Sequence, residues 1–154
     1  MTAYHDEEWG TPIEDDDLYL ERMLLELFQA GLSWRTILHK RQAFRAAFHG
    51  FSVDRVASFG TEDILRLLGD AGIVRHRGKI EASIENARRF QQAQASHGSF
   101  HQYLTSLDDD PEELRKELRR RFLFMGPKIA HSFLESVGRV PAPHEPGCWR
   151  ATSE

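Results

Sequence analysis

A chain of 154 residues, 40% hydrophobic, is long enough to bury the core of one domain. Its net charge of −4 argues against a uniformly basic nucleic-acid binder, and its single cysteine, Cys148, excludes an internal disulfide and suits a reducing cytoplasm. No window is apolar long enough to cross a membrane, and the first residues lack the basic-then-apolar pattern of a signal peptide, so no membrane partner is expected.

The charge is unevenly spread. Residues 1–26 hold nine acids against one arginine, or −8, which leaves the rest of the chain at +4. A polyanion could meet the larger part while the acidic end faces away; a solvated surface of mixed charge reads equally well.

Strand signals are nearly absent, and helical periodicity runs through the chain. Asp15-Asp16-Asp17 suits the start of a helix that runs through Leu20, Met23, Leu24, Leu27 and Phe28 to Gly31. Ser33 can cap a second helix carrying Trp34, Ile37, Leu38, Phe44 and Phe48, ended near Gly50. Short helices follow Ser52 and Thr61. A glycine-punctuated basic turn, Asp70 to Ile80, then leads into a long helix with Ile80, Ile84, Ala87 and Phe90 on one side, running toward Gly98. Phe100, Tyr103, Leu104 and Leu107 mark another short helix. Asp110 caps the next, with Pro111 at its first position, Leu114, Leu118 and Phe122 on one face and five basic residues on the others. Phe124-Met125-Gly126-Pro127-Lys128 turns into a last helix ending at Gly138. The expected fold is all-α, a compact bundle of about eight short helices in one domain, residues 1–154, with no repeat or linker to divide it.

Four stretches could carry chemistry. Glu26 to Trp34 places a carboxylate, a helix-stopping Gly31, Leu32 in the break and a flat aromatic within nine residues. They could floor a pocket, or form an ordinary helix joint with Leu32 and Trp34 in the core. At Gly126-Pro127-Lys128, a glycine beside a helix start bares backbone N–H groups, and Lys128 adds a full charge, which is how a helix-hairpin-helix element grips a DNA phosphate. A plain helical turn is the competing reading. Arg75-His76-Arg77-Gly78-Lys79 is a second candidate phosphate contact, its bases exposed or paired because they would be costly to bury, with a solvated loop as the alternative. His144 and Cys148, four apart, with His5 from the other end, offer part of a metal site that needs about four ligands. There is no Ser-His-Asp arrangement and no nucleotide-binding glycine loop.

Together these strings resemble the 3-methyladenine DNA glycosylase I family of the helix-hairpin-helix superfamily. The matching residues are Tyr4-His5-Asp6-Glu7-Glu8-Trp9-Gly10, Gln29 to Trp34, Gly72 to Ile80, Asn86-Ala87-Arg88, Phe124-Met125-Gly126-Pro127, and His144 with Cys148. The resemblance implies base excision repair: an enzyme that flips N3-methyladenine out of duplex DNA and hydrolyses its N-glycosidic bond. Glu26 would hydrogen-bond the exposed edge of the lesion base. Tyr4, Trp9 and Trp34 would form aromatic walls, Leu32 would wedge into the vacated space, and Gly126 with Lys128 would hold the phosphate backbone. His5, His144 and Cys148 match three of the four ligands of the family's structural zinc; the fourth, a cysteine in an upstream segment, has no counterpart here. The stretch between Phe90 and Pro111 is also shorter than is usual in the family.

The base chemistry agrees. N3-methyladenine is cationic, so its glycosidic bond is weak, and a carboxylate with aromatic faces favours it over neutral adenine. No acid stands in Val140-Pro141-Ala142-Pro143-His144, where the superfamily's water-activating aspartate would lie, and no lysine could be argued to form a Schiff base. The expectation is a monofunctional, monomeric glycosylase that catalyses mainly by binding. The alternative is a non-catalytic alkylated-DNA-binding module of the same fold.

Overall fold

A computed structural model describes residues 13–30 and 32–140. The expected site residues Tyr4, His5, Trp9, His144 and Cys148, and the helix-stopping Gly31, lie outside the described residues. Among those described, the chain forms nine α-helices and no strand. They are α1 (Asp16–Gln29), α2 (Trp34–His39), α3 (Arg41–Ala47), α4 (Val53–Ala57), α5 (Thr61–Leu68), α6 (Arg77–His97), α7 (Phe100–Thr105), α8 (Pro111–Arg121) and α9 (Pro127–Ser136).

α1 is the hub. Asp15 caps it, accepting a hydrogen bond from the Asp17 amide at 2.8 Å, and every residue from Tyr19 to Phe28 is buried. A helix buried all round is a core helix rather than an amphipathic surface one. α6, the longest, packs against α1, α4, α5 and α7. Between α6 and α7 the interior is aromatic: Phe90 and Phe100 stack with ring centroids 4.0 Å apart, and Tyr103, Phe122 and Phe133 close around Phe100.

Three sequence expectations need correction. The helix expected from Ser33 to near Gly50 is two helices broken at Lys40, whose amide reaches both the Thr36 and Ile37 carbonyls and tightens the turn. The long helix begins at Arg77 rather than Ile80, because the His76 ring caps it by accepting from the Lys79 amide at 3.1 Å. The acidic end does not simply face away. Asp16 accepts from the Phe100 and His101 amides at the start of α7, Asp17 accepts from the Val53 amide, and Glu21 is buried between Arg41 and Arg45. Much of that acidity closes helix ends inside the fold.

Candidate functional site

The joint after α1 opens a cavity. Glu26, Gln29 and Ala30 from the end of α1, Trp34 from the start of α2, and Lys128, Ile129 and Ser132 from α9 line a cleft of about 490 Å³. Its size lies in the range of small-molecule sites. Glu26 is only 2% exposed, yet it is part of the wall. A carboxylate so placed can meet a hydrogen-bond donor or a cation that enters the cleft.

Two hydrogen bonds close the joint between Gln29 and Leu32. The Leu32 amide donates to the Gln29 carbonyl at 2.7 Å, and Gln29 Nε2 returns a bond to the Leu32 carbonyl at 2.6 Å. Ser33 caps α2, its hydroxyl accepting from the Thr36 amide at 3.1 Å. This pins a short break that leaves the Leu32 side chain 39% exposed, so Leu32 is not a core residue. Trp34 is half-buried, packed on the core and facing the cleft. Glu26, Trp34 and Lys128 thus meet in one cavity, with Leu32 beside it on the joint.

The opposite wall is α9. Arg22 ties it to α1: its Nη1 donates to the Ser136 carbonyl at 2.6 Å from a buried position. Gly126 is the N-cap of α9 and, having no side chain, offers no cap of its own; Pro127 follows at the first position. The amides of the first turn therefore face outward beside Lys128, which is exposed. Residues 122–126 form the turn between α8 and α9. Buried Asn86 on α6 holds it from beneath, accepting from the Leu123 amide at 2.8 Å and donating to the Leu123 carbonyl at 3.1 Å. Phe124 adopts a left-handed backbone, φ 55°, and stands 45% exposed, its ring nearly perpendicular to that of His76.

The basic turn departs from its sequence reading. Arg75, His76 and Arg77 are exposed. Lys79 is not: it is 9% exposed, and its Nζ donates to the carbonyls of Ala30 at 3.0 Å and Phe28 at 3.4 Å. A phosphate contact is thereby excluded for Lys79, because its ammonium is spent on the end of α1. Burial lowers the Lys79 pKa from the usual lysine value. Sequence reasoning assigned no role to Lys79 at the joint or to Asn86 beneath the hairpin. The signal available was their place at helical spacing with Ser83, a polar file beside the apolar stripe Ile80, Ile84 and Ala87.

No group of His, Cys, Asp and Glu among the described residues could hold a metal ion, and no helix among them is long and apolar enough to cross a membrane.

Comparison with known proteins places the chain. The Methyladenine glycosylase family model matches residues 1–112. The chain is 41% identical to DNA-3-methyladenine glycosylase 1 of Escherichia coli, with 95% of this chain and 88% of the relative covered. It superposes on 3-methyladenine DNA glycosylase I from Staphylococcus aureus with a TM-score of 0.82 at 35% identity, covering 91% of this chain and 85% of that one. A 3-methyladenine DNA glycosylase I variant solved in complex with 3-methyladenine gives a TM-score of 0.85 at 34% identity, over 97% and 90% of the two chains. The chain belongs to the methyladenine glycosylase family.

Proposed function

We propose that this chain is a DNA-3-methyladenine glycosylase of base excision repair, which flips N3-methyladenine from alkylated duplex DNA and hydrolyses its N-glycosidic bond. The observation that carries the reading is the buried Glu26 carboxylate opening, beside Trp34, into a cleft of about 490 Å³ in a chain of this family.

N3-methylation leaves the base cationic, so the glycosidic bond breaks without protonation of the leaving group. The work of the protein is then to bind that base out of the helix. Glu26 accepts a hydrogen bond from the exocyclic amine and faces the positive ring, while the Trp34 indole covers one face of it. Neutral adenine offers less charge to either group, and the pocket discriminates on that difference. Tyr4 and Trp9 are proposed as the further aromatic walls. Leu32 fills the gap left in the duplex, a role supported by its exposure on a hydrogen-bonded break. The open amides after Gly126 and the Lys128 ammonium bind the phosphate beside the flipped nucleotide. Lys128 lies where it can do so, since it lines the cleft from the first turn of α9.

His5, His144 and Cys148 supply two imidazoles and a thiolate, a donor set that suits a structural zinc. Zinc held there would join the two ends of the chain. Metal analysis of protein purified without chelator, and a melting temperature that falls on chelation, are the expected results; protein free of zinc would end the assignment. A monomer working on duplex DNA in the cytoplasm completes the reading.

Incubation with methylated DNA should release free 3-methyladenine and leave an intact strand. Binding without release would mark a damage-binding module, and strand scission with borohydride trapping of Lys128 would contradict a monofunctional hydrolase.

A further inference from the structure

We propose that Lys79 is a positioning residue for base removal: its buried ammonium holds the α1–α2 joint, and with it the pocket wall and Leu32, in the geometry that takes the lesion base. The inference rests on the glycosylase reading above.

The last carbonyls of a helix have no partner inside it and must find one. At the end of α1 the Gln29 carbonyl is met by the Leu32 amide, and the Leu32 carbonyl by the Gln29 side chain. The Phe28 and Ala30 carbonyls are both met by Lys79 Nζ, at 3.4 and 3.0 Å. One ammonium therefore spans the break, gripping the chain before it and within it. Gln29 and Ala30 line the cleft, and Leu32 stands two positions beyond Ala30, so the grip falls on the pocket wall and close to the side chain that must enter the duplex.

A helix end can be closed without burying a charge, by a left-handed glycine or by solvent. A lysine at 9% exposure is an expensive way to do it, and burial already works against its protonated form. Two features justify that cost. The first is rigidity, since Lys79 is anchored in the first turn of α6, the longest helix. Its amide donates to the His76 ring at 3.1 Å, and its carbonyl accepts from the Ser83 hydroxyl at 2.8 Å. The second is charge. The C-terminal end of α1 carries partial negative charge, and the Lys79 ammonium, bonded to two of its carbonyls, offsets it.

The test uses Lys79→Met, which keeps the length and removes both charge and donors, and Lys79→Gln, which keeps a donor without charge. Release is followed on methylated DNA in single turnover. Insertion of Leu32 is followed by the fluorescence of 2-aminopurine next to an abasic-site analogue in duplex DNA. In Lys79→Met the release rate should fall on the order of 100-fold, the cost of misplacing a binding wall by about 1 Å. The 2-aminopurine signal should drop with it, and affinity for undamaged duplex should stay at the wild-type value. Lys79→Gln should fall between the two, and Lys79→Arg should recover part of both signals. A folded Lys79→Met that releases base at the wild-type rate would overturn the proposal. So would slow release accompanied by a normal 2-aminopurine signal, because the joint would then be intact. If Lys79→Met does not fold, Lys79→Gln decides by the same two readouts. Failure of the wild-type protein to release methylated base would overturn the glycosylase reading itself, and is seen without any variant.

Discussion

Two regions of this molecule obey opposite rules. Around Phe90, Phe100, Tyr103, Phe122 and Phe133 the interior is rings packed on rings, and the Tyr103 hydroxyl is taken by Glu117 at 2.7 Å. At the corner where α1, α2 and α9 meet, Glu26, Arg22, Lys79 and Asn86 are buried while Leu32, Leu123 and Phe124 are exposed. Three of the four exposed large hydrophobics among the described residues lie on this corner or on its hairpin. The aromatic region maximises apolar burial and hydrogen bonding together. The corner instead buries charged and polar side chains and leaves large apolar ones exposed, which is how a fold marks the place where it meets something else.

The comparison can be broken most forcefully from the aromatic side. Phe100→Ala should cost about 3–5 kcal/mol of stability, read by denaturant unfolding, because five rings lose their partner and cannot close the gap. Its activity, measured per folded molecule, should stay close to wild type. A selective loss of base release in a folded Phe100→Ala would mean that the two regions are not separable.

Glu26→Gln probes the corner. It keeps the shape and removes the charge, so capture of 3-methyladenine should weaken by about 1.5–3 kcal/mol, the scale of a charge-assisted hydrogen bond. Binding to undamaged duplex should hardly change, because that rests on the phosphate contacts of the hairpin. Release at the wild-type rate would return Glu26 to a purely structural role.

Lys128→Glu sharpens the division within the corner. Affinity for all duplexes should fall alike, and the slope of log affinity against log salt should become shallower by about 1. A loss confined to lesion-bearing DNA would move Lys128 from the backbone to the base.

The smallest effect is expected at Tyr19, whose hydroxyl donates to the Ile13 carbonyl at 2.8 Å and meets His101 Nδ1 at 2.9 Å. Burial first, then the charges of Asp16 and Glu14, push its pKa up to about 12 from 10.0. A raised folded value means that the stability it lends is complete below pH 10 and lost as pH rises through 12. Tyr19→Phe should cost about 0.5–1.5 kcal/mol at neutral pH and make the alkaline decline in stability less steep. An unchanged alkaline limb would remove Tyr19 as its source.

Local residue order determined the helices, since their limits depend on neighbours a few positions away. Asp110 and Pro111 start α8, Gly126 and Pro127 start α9, and apolar spacing marks α1 and α6, as read. The break at Lys40 escaped because the apolar period runs on across it through Ile37, Phe44 and Phe48, while the turn depends on one bifurcated amide. Glu26, Leu32 and Trp34 could be singled out as neighbours in sequence. Whether they made a core joint or a pocket could not, because the answer needed α9 to arrive from a hundred residues away and leave a cleft. The same holds for Lys79 and Asn86. In sequence one is part of a basic turn and the other a polar residue on a helix, and only packing decides that their partners are the carbonyls of Phe28 and Ala30 and the backbone of Leu123. Periodicity and capping are short-range and were legible in the chain. Burial of a charge, and the group that compensates it, are properties of the assembled fold, because desolvation is imposed by whatever packs around the residue.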